Sequence, residues 1–352
     1  TSVNYKSDGS IECVAAENNA SVYISTAVAD SVPDNAEVLI PSETIGAVLD
    51  IPTVDQFIQT APGVAVATVG TDSSWPGCAI LQSIDGGQYW ASVGASVAPV
   101  TMGYADLPLS VNAGAVITGE LLTVRLLAGT LAAVTVDQML AGSNIAAYGN
   151  NDRWEIIRFA SASLQPSGEY VLTNIVRGDF GTEWATGLHQ QGDFFVMLND
   201  ADIFQLNIAQ NLIGSPISFG FVTAGDVFDD EQTDITWQGV STKCLSAVGV
   251  GYTSASPDIA FNWSRRSRFA SSWWVNGQVA PVAEESERYE VDVLNSGVVV
   301  RTINSNTPSI IYTSAQQTAD FGAPVSSVDV VIYQISAVSG RGYGTAATVY
   351  AA

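Results

Sequence analysis

The stretch from Trp154 to Leu198 constrains the fold of this chain more than any other feature. Apolar and polar residues alternate from Trp154 to Phe159 and again from Tyr170 to Ile175, with a Pro-Ser-Gly turn between the two segments. A glycine-containing corner then leads to the apolar segment Phe194 to Leu198. Period-two alternation bounded by glycine and proline is typical of β-hairpins. The sequence therefore predicts a β-meander of three short strands.

Short strands are predicted along most of the remaining chain. The candidates before this stretch are Val22 to Thr26, Val64 to Val69, Ala79 to Gln82 and Leu121 to Leu127. Helical periodicity is scarce, and the best candidates for helices are Thr53 to Thr60 and Thr135 to Ala141. These patterns predict a mainly β protein.

Composition narrows the classes of function. The 352 residues are 47% hydrophobic and only 13% charged, as expected for a globular protein of two or three domains. Twelve Lys and Arg residues stand against 35 Asp and Glu, for a net charge of −23. Such a surface repels phosphate backbones and anionic lipids, so we expect no nucleic-acid binding. No apolar run reaches the roughly 18 residues of a membrane span.

The three cysteines are widely spaced, and the chain has a single histidine. Cys13, Cys78 and Cys244 form no CxxC pair, and His189 cannot complete a zinc set with any of them at the usual ligand spacing. We expect all three cysteines to be buried small hydrophobic residues, and His189 to be a hydrogen-bonded structural residue.

A domain boundary is predicted near Gln238 to Lys243, after the acidic stretch Asp226 to Asp234. Seven short strand candidates follow, which is typical of a β-sandwich. They are Leu245 to Tyr252, Asp258 to Ser264, Arg288 to Leu294, Val298 to Ile303, Ser309 to Thr313, Val328 to Val338 and Thr345 to Tyr350.

This C-terminal region resembles a fibronectin type III module. Trp263 stands where that family has its core tryptophan on the second strand, and Tyr289 matches the aromatic residue of the third strand. The segment ISAVSGRGYGTAATV is similar to the module's last hairpin. The tyrosine expected early in the sixth strand is replaced, since Val331 holds that place and Tyr333 follows two residues later.

Three segments resemble, in order, the baseplate or tail-tip hub proteins of long-tailed (siphovirus) phages and gene transfer agents. The first is Val64 to Trp90, with its Trp-Pro-Gly corner and Asp-Gly-Gly hairpin, and the last is Arg288 to Gly322. The middle segment is an RGxxGTE corner followed by a histidine and a Gly-Asp pair. Its matching residues are Arg177, Gly178, Gly181, Thr182, Glu183, His189, Gly192 and Asp193. Asp179 and Phe180 occupy positions that are more often basic in the family.

The resemblance is to the C-terminal region of the large, "megatron"-type hub protein, and it implies three parts. Residues 1–55 would be an unassigned β-rich segment, residues 56–240 a hub domain of β-hairpins with a barrel-like fold, and residues 241–352 a fibronectin type III-like β-sandwich. It further implies a homotrimer at the distal tail tip or baseplate of a virion. There it would link the tail tube and distal tail protein to fibres or receptor-binding proteins during host attachment. No cofactor and no catalytic residues are implied.

One local motif has a sharper interpretation. Ser83 to Trp90 fits the Asp-box pattern SxDxGxxW of sialidase blades, in which Ser83 and Asp85 would bind the turn backbone while Trp90 packs below. The motif occurs once, and no GxSxG nucleophile elbow is present. We therefore interpret it as a structural hairpin and not as part of an enzyme.

Two further groups are candidate ligand sites. Four acidic residues supply oxygen ligands of the kind Ca²⁺ prefers, namely Asp226, Asp229, Asp230 and Glu231. They lack the EF-hand spacing and its central glycine, so a solvated acidic linker is the simpler interpretation. Trp273 and Trp274 lie in a serine-rich loop, where an exposed tryptophan can stack on sugar. They carry the alternative hypothesis, a carbohydrate-binding module that recognises a host surface glycan.

Overall fold

The computed structural model describes residues 2–14, 42–54, 62–110, 117–199, 201–229, 231–255, 257–268 and 280–351. The chain forms two compact units, Thr1–Ile40 and Pro41–Ala352. In the first unit, β1 (Ser2–Tyr5) pairs antiparallel with β2 (Ile11–Val14). Every described residue of this hairpin is exposed.

The expectation that all cysteines are buried is wrong for Cys13, which is exposed. Its strand belongs to a two-stranded sheet, and no described layer of the same unit covers it. Cys78 and Cys244 are buried, as predicted, and all three cysteines are free.

The second unit is mainly β. Its first strands are β3 (Thr44–Leu49), β4 (Gly63–Gly70), β5 (Cys78–Ser83), β6 (Ala91–Ser96), β7 (Met102–Ala105), β8 (Leu122–Ala128), β9 (Ile145–Gly149), β10 (Glu155–Leu164), β11 (Tyr170–Asp179) and β12 (Phe194–Met197). They are followed by β13 (Phe204–Asn207), β14 (Pro216–Thr223), β15 (Thr233–Thr236), β16 (Val248–Ala255), β17 (Asp258–Ser264), β18 (Tyr289–Asn295), β19 (Val298–Ser305), β20 (Ser309–Tyr312), β21 (Ser327–Ser336), β22 (Gly340–Arg341) and β23 (Thr345–Tyr350).

Six strands close into an antiparallel barrel in the order β10-β11-β8-β7-β12-β9. Its interior is filled by apolar side chains that include Leu122, Tyr148, Phe159, Leu172 and Phe195. The predicted hairpin is present as β10 and β11. The prediction of a three-stranded meander is wrong, because β12 pairs with β7 and β9 and not with β11. Barrel closure gives β11 its second neighbour from an earlier part of the chain, β8.

Two open sheets, β13-β4-β3 and β15-β14-β5-β6, pack together beside the barrel. Val64, Ile80, Phe219 and Trp237 lie in the core between them. The acidic stretch Asp226 to Asp234, interpreted above as a solvated acidic linker, leads from β14 into β15 within one sheet.

The C-terminal strands form the predicted sandwich. One sheet is β16-β17-β20, and the other is β19-β18-β21, where β22 and β23 both pair with β21. Trp263 and Tyr289 are buried in the core as predicted, in edge-to-face contact with ring centroids 5.1 Å apart. Val331 and Tyr333 are only half-buried, because they alternate along β21 with core residues.

Helix α1 (Val136–Leu140) forms where it was predicted, and the Thr135 side chain caps it. Helix α2 (Ser314–Phe321) was not predicted. Thr313 caps its first turn through Gln316 in a reciprocal capping box, and Gly322 ends it in the left-handed conformation. In the predicted helix 53–60, Thr53 and Val54 are not helical and the rest lies outside the described residues, as does the predicted strand 22–26.

Within the described ranges, no helix has the length and hydropathy to cross a membrane. The predicted division of the chain at residues 55/56 and 240/241 stays a prediction.

Candidate functional site: the buried charge network at the barrel corner

A fully buried carboxylate, that of Glu155 at the start of β10, organises the corner of the barrel. Arg177 Nε and Nη2 donate to its two oxygens at 2.7 and 2.8 Å. The backbone N–H of Gly178 donates to Oε1 at 2.7 Å, and Nε2 of His189 lies 2.7 Å from Oε2. The carboxylate thus accepts four hydrogen bonds, which is what a buried charge requires.

The ring of His189 lies between two acids and against an aromatic ring. Its Nδ1 lies 3.4 Å from Oδ2 of Asp193, which is within ion-pair distance. This nitrogen makes no hydrogen bond to any of the described residues. Arg153 Nη1 donates to the same oxygen of Asp193 at 2.5 Å. Tyr148 of β9 stacks on the imidazole with centroids 3.9 Å apart. His189 is thus hydrogen-bonded, as predicted, through its Nε2 to Glu155.

The charged partners in this network counteract the effect of burial on each other's pKa. Burial alone would raise the pKa of Glu155, but the hydrogen bonds from His189 and Arg177 lower it below its ordinary value. Burial alone would lower the pKa of His189, but Asp193 and Glu155 raise it. The pKa of Asp193 is lowered for the same reason, because His189 and Arg153 outweigh its desolvation. The network is a set of charged pairs sealed inside the protein.

The outer end of Arg177 reaches the segment before β8. Its Nη1 donates to the Ser110 carbonyl at 3.1 Å and to Glu120 Oε2 at 3.0 Å. Glu120 Oε1 in turn accepts from the backbone N–H and the hydroxyl of Ser110. One arginine thus ties β10, β11 and the connection between β7 and β8 together. Both oxygens of Glu155 already accept hydrogen bonds within the protein. We therefore interpret the contacts of Arg177 as fixing the backbone of the two strands and of this connection.

Steric or hydrogen-bonding requirements explain the residue type at Gly178, Gly181 and Thr182 of the RGxxGT corner. Gly178 has φ +63°, and a Cβ there would lie 2.7 Å from the backbone of Glu183. Gly181 has φ +83°, and a Cβ there would meet Leu245 at 2.4 Å. Thr182 accepts a hydrogen bond from the N–H of Ile156 and donates to the Asp179 carbonyl, both at 2.8 Å. The corner needs these residue types whatever its partners are.

Asp179 and Phe180, at positions that are more often basic in hub proteins, contact one arginine here. Asp179 Oδ2 accepts from Arg158 Nε at 2.5 Å, and the Arg158 guanidinium lies 5.4 Å from the centre of the Phe180 ring. Arg158 also donates to the Leu140 carbonyl at 3.0 Å, at the C-terminal end of α1. The acidic side chain of Asp179 therefore pairs with Arg158 within the barrel.

The far side of the corner packs against the sandwich. Trp184 stacks on Tyr343 with centroids 5.0 Å apart and planes 13° from parallel. Glu183 accepts from Arg266 Nη2 and, at 2.9 Å, from the Ser246 hydroxyl. The network side and the sandwich side are only a few residues apart in sequence, so the corner couples the barrel to the sandwich.

A second buried carboxylate, that of Asp50, holds the segment of the chain that leads to the sandwich. Asp50, which follows β3, accepts from the N–H of Gln238 at 2.7 Å and from the N–H of Val240 at 2.9 Å. Val240 begins a short 3-10 helix, Val240–Thr242, after Gly239 in the left-handed conformation. Burial raises the pKa of Asp50 to about 6, although these hydrogen bonds oppose the shift.

The Asp-box motif forms the structural hairpin that was predicted between β5 and β6. Asp85 Oδ1 accepts from the N–H groups of Gln88 and Tyr89 at 3.1 and 3.0 Å, and Ser83 Oγ donates to it at 2.7 Å. Trp90 packs edge-to-face on Phe228 with centroids 4.8 Å apart.

The candidate ligand residues lie elsewhere. Asp226, Asp229 and Glu231 are exposed in the β14–β15 connection, where Asp229 accepts a hydrogen bond from the Glu231 N–H, and Asp230 lies outside the described residues. Among the residues that are described, no three His, Cys, Asp or Glu side chains group to hold a metal ion. Trp273 and Trp274 also lie outside the described residues, so both hypotheses stay predictions.

Sequence reasoning missed Glu155 and Arg153. A signal was present, because Glu155 stands between Trp154 and two isoleucines, and charged residues are almost never fully buried without a partner. Its partner Arg177 stands in the neighbouring strand. The sequence could have suggested the pair, but not the histidine that joins it.

Residues 100–196, which span the barrel, match the family model described as "Rcc01698-like, C-terminal". The match covers less than a third of the chain. Among curated protein sequences, nothing matches.

Solved structures with similarity to this chain include fibronectin type III proteins. The FN1–FN3 domains of chicken CNTN1 are 9% identical, with 88% of this chain and 98% of that one covered and a TM-score of 0.22. A two-domain segment of chicken tenascin is 11% identical, with 71% and 99% covered and a TM-score of 0.22. Domains d3–d4 of rat CD45 are 12% identical, with 42% and 70% covered and a TM-score of 0.22. The sandwich is defined by its two sheets and by the contact of Trp263 with Tyr289 in its core.

Proposed function

We propose that this chain is a structural hub component of the distal tail tip or baseplate of a phage-like particle. The observation that carries the proposal is the match of residues 100–196 to the Rcc01698-like C-terminal family, which is associated with gene transfer agents. The match coincides with the barrel, whose corner holds the residues that resemble the hub pattern.

The architecture of the corner fits a protein that transmits load. Buried charge pairs fix the corner to the barrel on one side, while Trp184 and Glu183 hold the sandwich on the other. A part that joins tail elements needs a stiff connection between its domains. The four hydrogen bonds on Glu155 leave its carboxylate no free position for a reacting group, which favours a structural role over catalysis.

In this proposal the chain acts as a homotrimer in the virion. It joins the distal tail protein and tail tube to fibres or receptor-binding proteins and so takes part in host attachment. The acidic surface is compatible with such a position, because a net charge of −23 would not retain DNA that passes nearby.

The test is co-assembly. The full chain, alone and co-expressed with a tail-tube protein and a distal tail protein from the same genome, is analysed by light scattering coupled to size-exclusion chromatography. We expect either a mass three times the 36.9 kDa of one chain or a complex with those partners. The control repeats the run at about 0.5 M salt, where charge-driven association is screened and a specific interface persists. A monomer that binds neither partner refutes the proposal.

A further inference from the structure

A shallow groove of about 300 Å³ opens where three parts of the second unit meet. It is lined by residues 46–48 of β3, by Asn150 and Asn151 of the turn after β9, by Phe194 of β12, and by residues 232–234 at the start of β15. The volume lies at the lower end of the roughly 300–1,000 Å³ range of small-molecule sites. The groove is separate from the buried network and from the acidic residues discussed above as calcium candidates.

The residues that line the groove carry polar groups that are not used up by the fold. Asn150 Oδ1 accepts from the Asn151 N–H at 2.9 Å, which leaves its amide NH₂ as a donor. Asn151 is exposed and held at φ +51°. Asp234 Oδ2 accepts from Gln232 Nε2 at 3.2 Å, which leaves its second oxygen as an acceptor. The residues that line the groove thus offer both a donor and an acceptor.

The groove also has an apolar element. Phe194 is half-buried and packs on Tyr104, with centroids 4.9 Å apart and planes at 31°. An aromatic ring beside amide and carboxylate groups suits a ligand with an apolar face and several hydroxyls that both donate and accept hydrogen bonds. A pyranose ring has this combination.

Charge restricts the ligand further. Asp234 in the lining and the net charge of −23 oppose an anionic ligand. A peptide strand added to the edge of β3 is disfavoured, because three residues of β3 line the groove whereas strands commonly run about five or six. A ligand that uses both the amide donor and the carboxylate acceptor must itself both accept and donate hydrogen bonds, as the hydroxyls of a neutral sugar residue do.

We propose that this groove binds a neutral sugar residue of a surface glycan. The site lies on the hub body and does not involve Trp273 and Trp274. The proposal goes beyond the structural role and does not depend on it, since sugar binding and assembly with tail proteins are measured separately.

The test uses the full chain on an array of neutral glycans ending in glucose, galactose or N-acetylglucosamine, with sialylated glycans alongside. The variants are Asn151→Gly, which keeps a backbone tolerant of positive φ while removing the amide, and Asp234→Ala. The matched controls are Asn174→Gly, another exposed asparagine with positive φ (+55°), and Asp229→Ala, an exposed acid from the same hairpin connection.

We expect the unaltered chain to bind a neutral glycan and both groove variants to bind it about tenfold more weakly or worse, which corresponds to roughly 1.4 kcal/mol. Both controls should bind as the unaltered chain does. The proposal is overturned by absence of binding to every neutral glycan, by preference for sialylated glycans, by unchanged binding in both groove variants, or by equal loss in the controls. Assembly of the variants with tail proteins, measured as above, separates a failure of this site from a failure of the proposed function.

Discussion

Replacing Glu155 with glutamine tests whether the buried network stabilises the barrel corner. Glutamine keeps the size of the side chain but removes the charge, and its NH₂ group must face one of the donors on Arg177 or His189. The side chains of Glu155 and Arg177 are both 0% exposed, so the arginine cannot recover its hydration without local unfolding. Removing one partner of a buried pair costs about 3–5 kcal/mol.

The assay is equilibrium urea unfolding together with differential scanning calorimetry. At about 2 °C per kcal/mol for a chain of this size, Glu155→Gln should lower Tm by about 6–10 °C. The matched control is Glu169→Gln on the same barrel, which breaks an ion pair to Arg125, whose side chain is 57% exposed. An exposed pair is worth about 1 kcal/mol or less. A loss in Glu155→Gln no larger than in this control would refute the reasoning.

Three further predictions test neighbouring features. Because the pKa of His189 is raised above its ordinary 6.5, its stabilisation is complete below pH 6.5 and is lost as pH rises through the folded-state pKa; urea unfolding should show stability falling with rising pH in this window, and His189→Gln should flatten the slope. Trp184→Ala removes the stack on Tyr343, worth about 0.5–1.5 kcal/mol beyond its buried area, so limited proteolysis between residues 238 and 247 should speed up, whereas unchanged cleavage would show that the stack does not hold the sandwich. Native iodoacetamide labelling followed by mass spectrometry should modify Cys13 and spare the two buried cysteines, whose thiols have pKa values raised by burial; equal labelling of all three contradicts the described burial.

Local patterns were enough to predict many of the strands. Thr345 to Tyr350 was predicted with the bounds that β23 has. The resemblance to fibronectin type III modules, and not a local pattern, placed Trp263 and Tyr289 correctly in the sandwich core. The Ser83–Asp85 turn was also predicted correctly, because its hydrogen bonds join residues within a short segment. Alternation and turn chemistry are properties of neighbouring residues, so a sequence displays them directly.

Helix α2 was not predicted, although the sequence contains a local signal for it. The capping box of Thr313 and Gln316 was legible in the sequence, but the apolar alternation of β20 runs directly into it. A strand was predicted for Ser309 to Thr313, and no element was predicted for Ser314 to Phe321. The local signal was therefore present but was not used.

The exposure of Cys13 shows a limit of composition-based reasoning. Cysteine is among the most buried residue types on average. Whether a particular cysteine is covered depends on a second layer, and the described part of its hairpin has none within its own unit. An average over residue types cannot supply that information.

The sequence by itself determined the β class and the glycine corner, because these follow from side-chain period and backbone conformation over a few residues. The core positions of the sandwich came from the resemblance to fibronectin type III modules. Only the tertiary structure decided the order of strands in the barrel, the joining of Glu155, Arg177 and His189, and the groove beside Asn151. Strand partners are chosen by contacts between distant parts of the chain. A period of two tells which face of a strand is buried, but not which strand lies next to it.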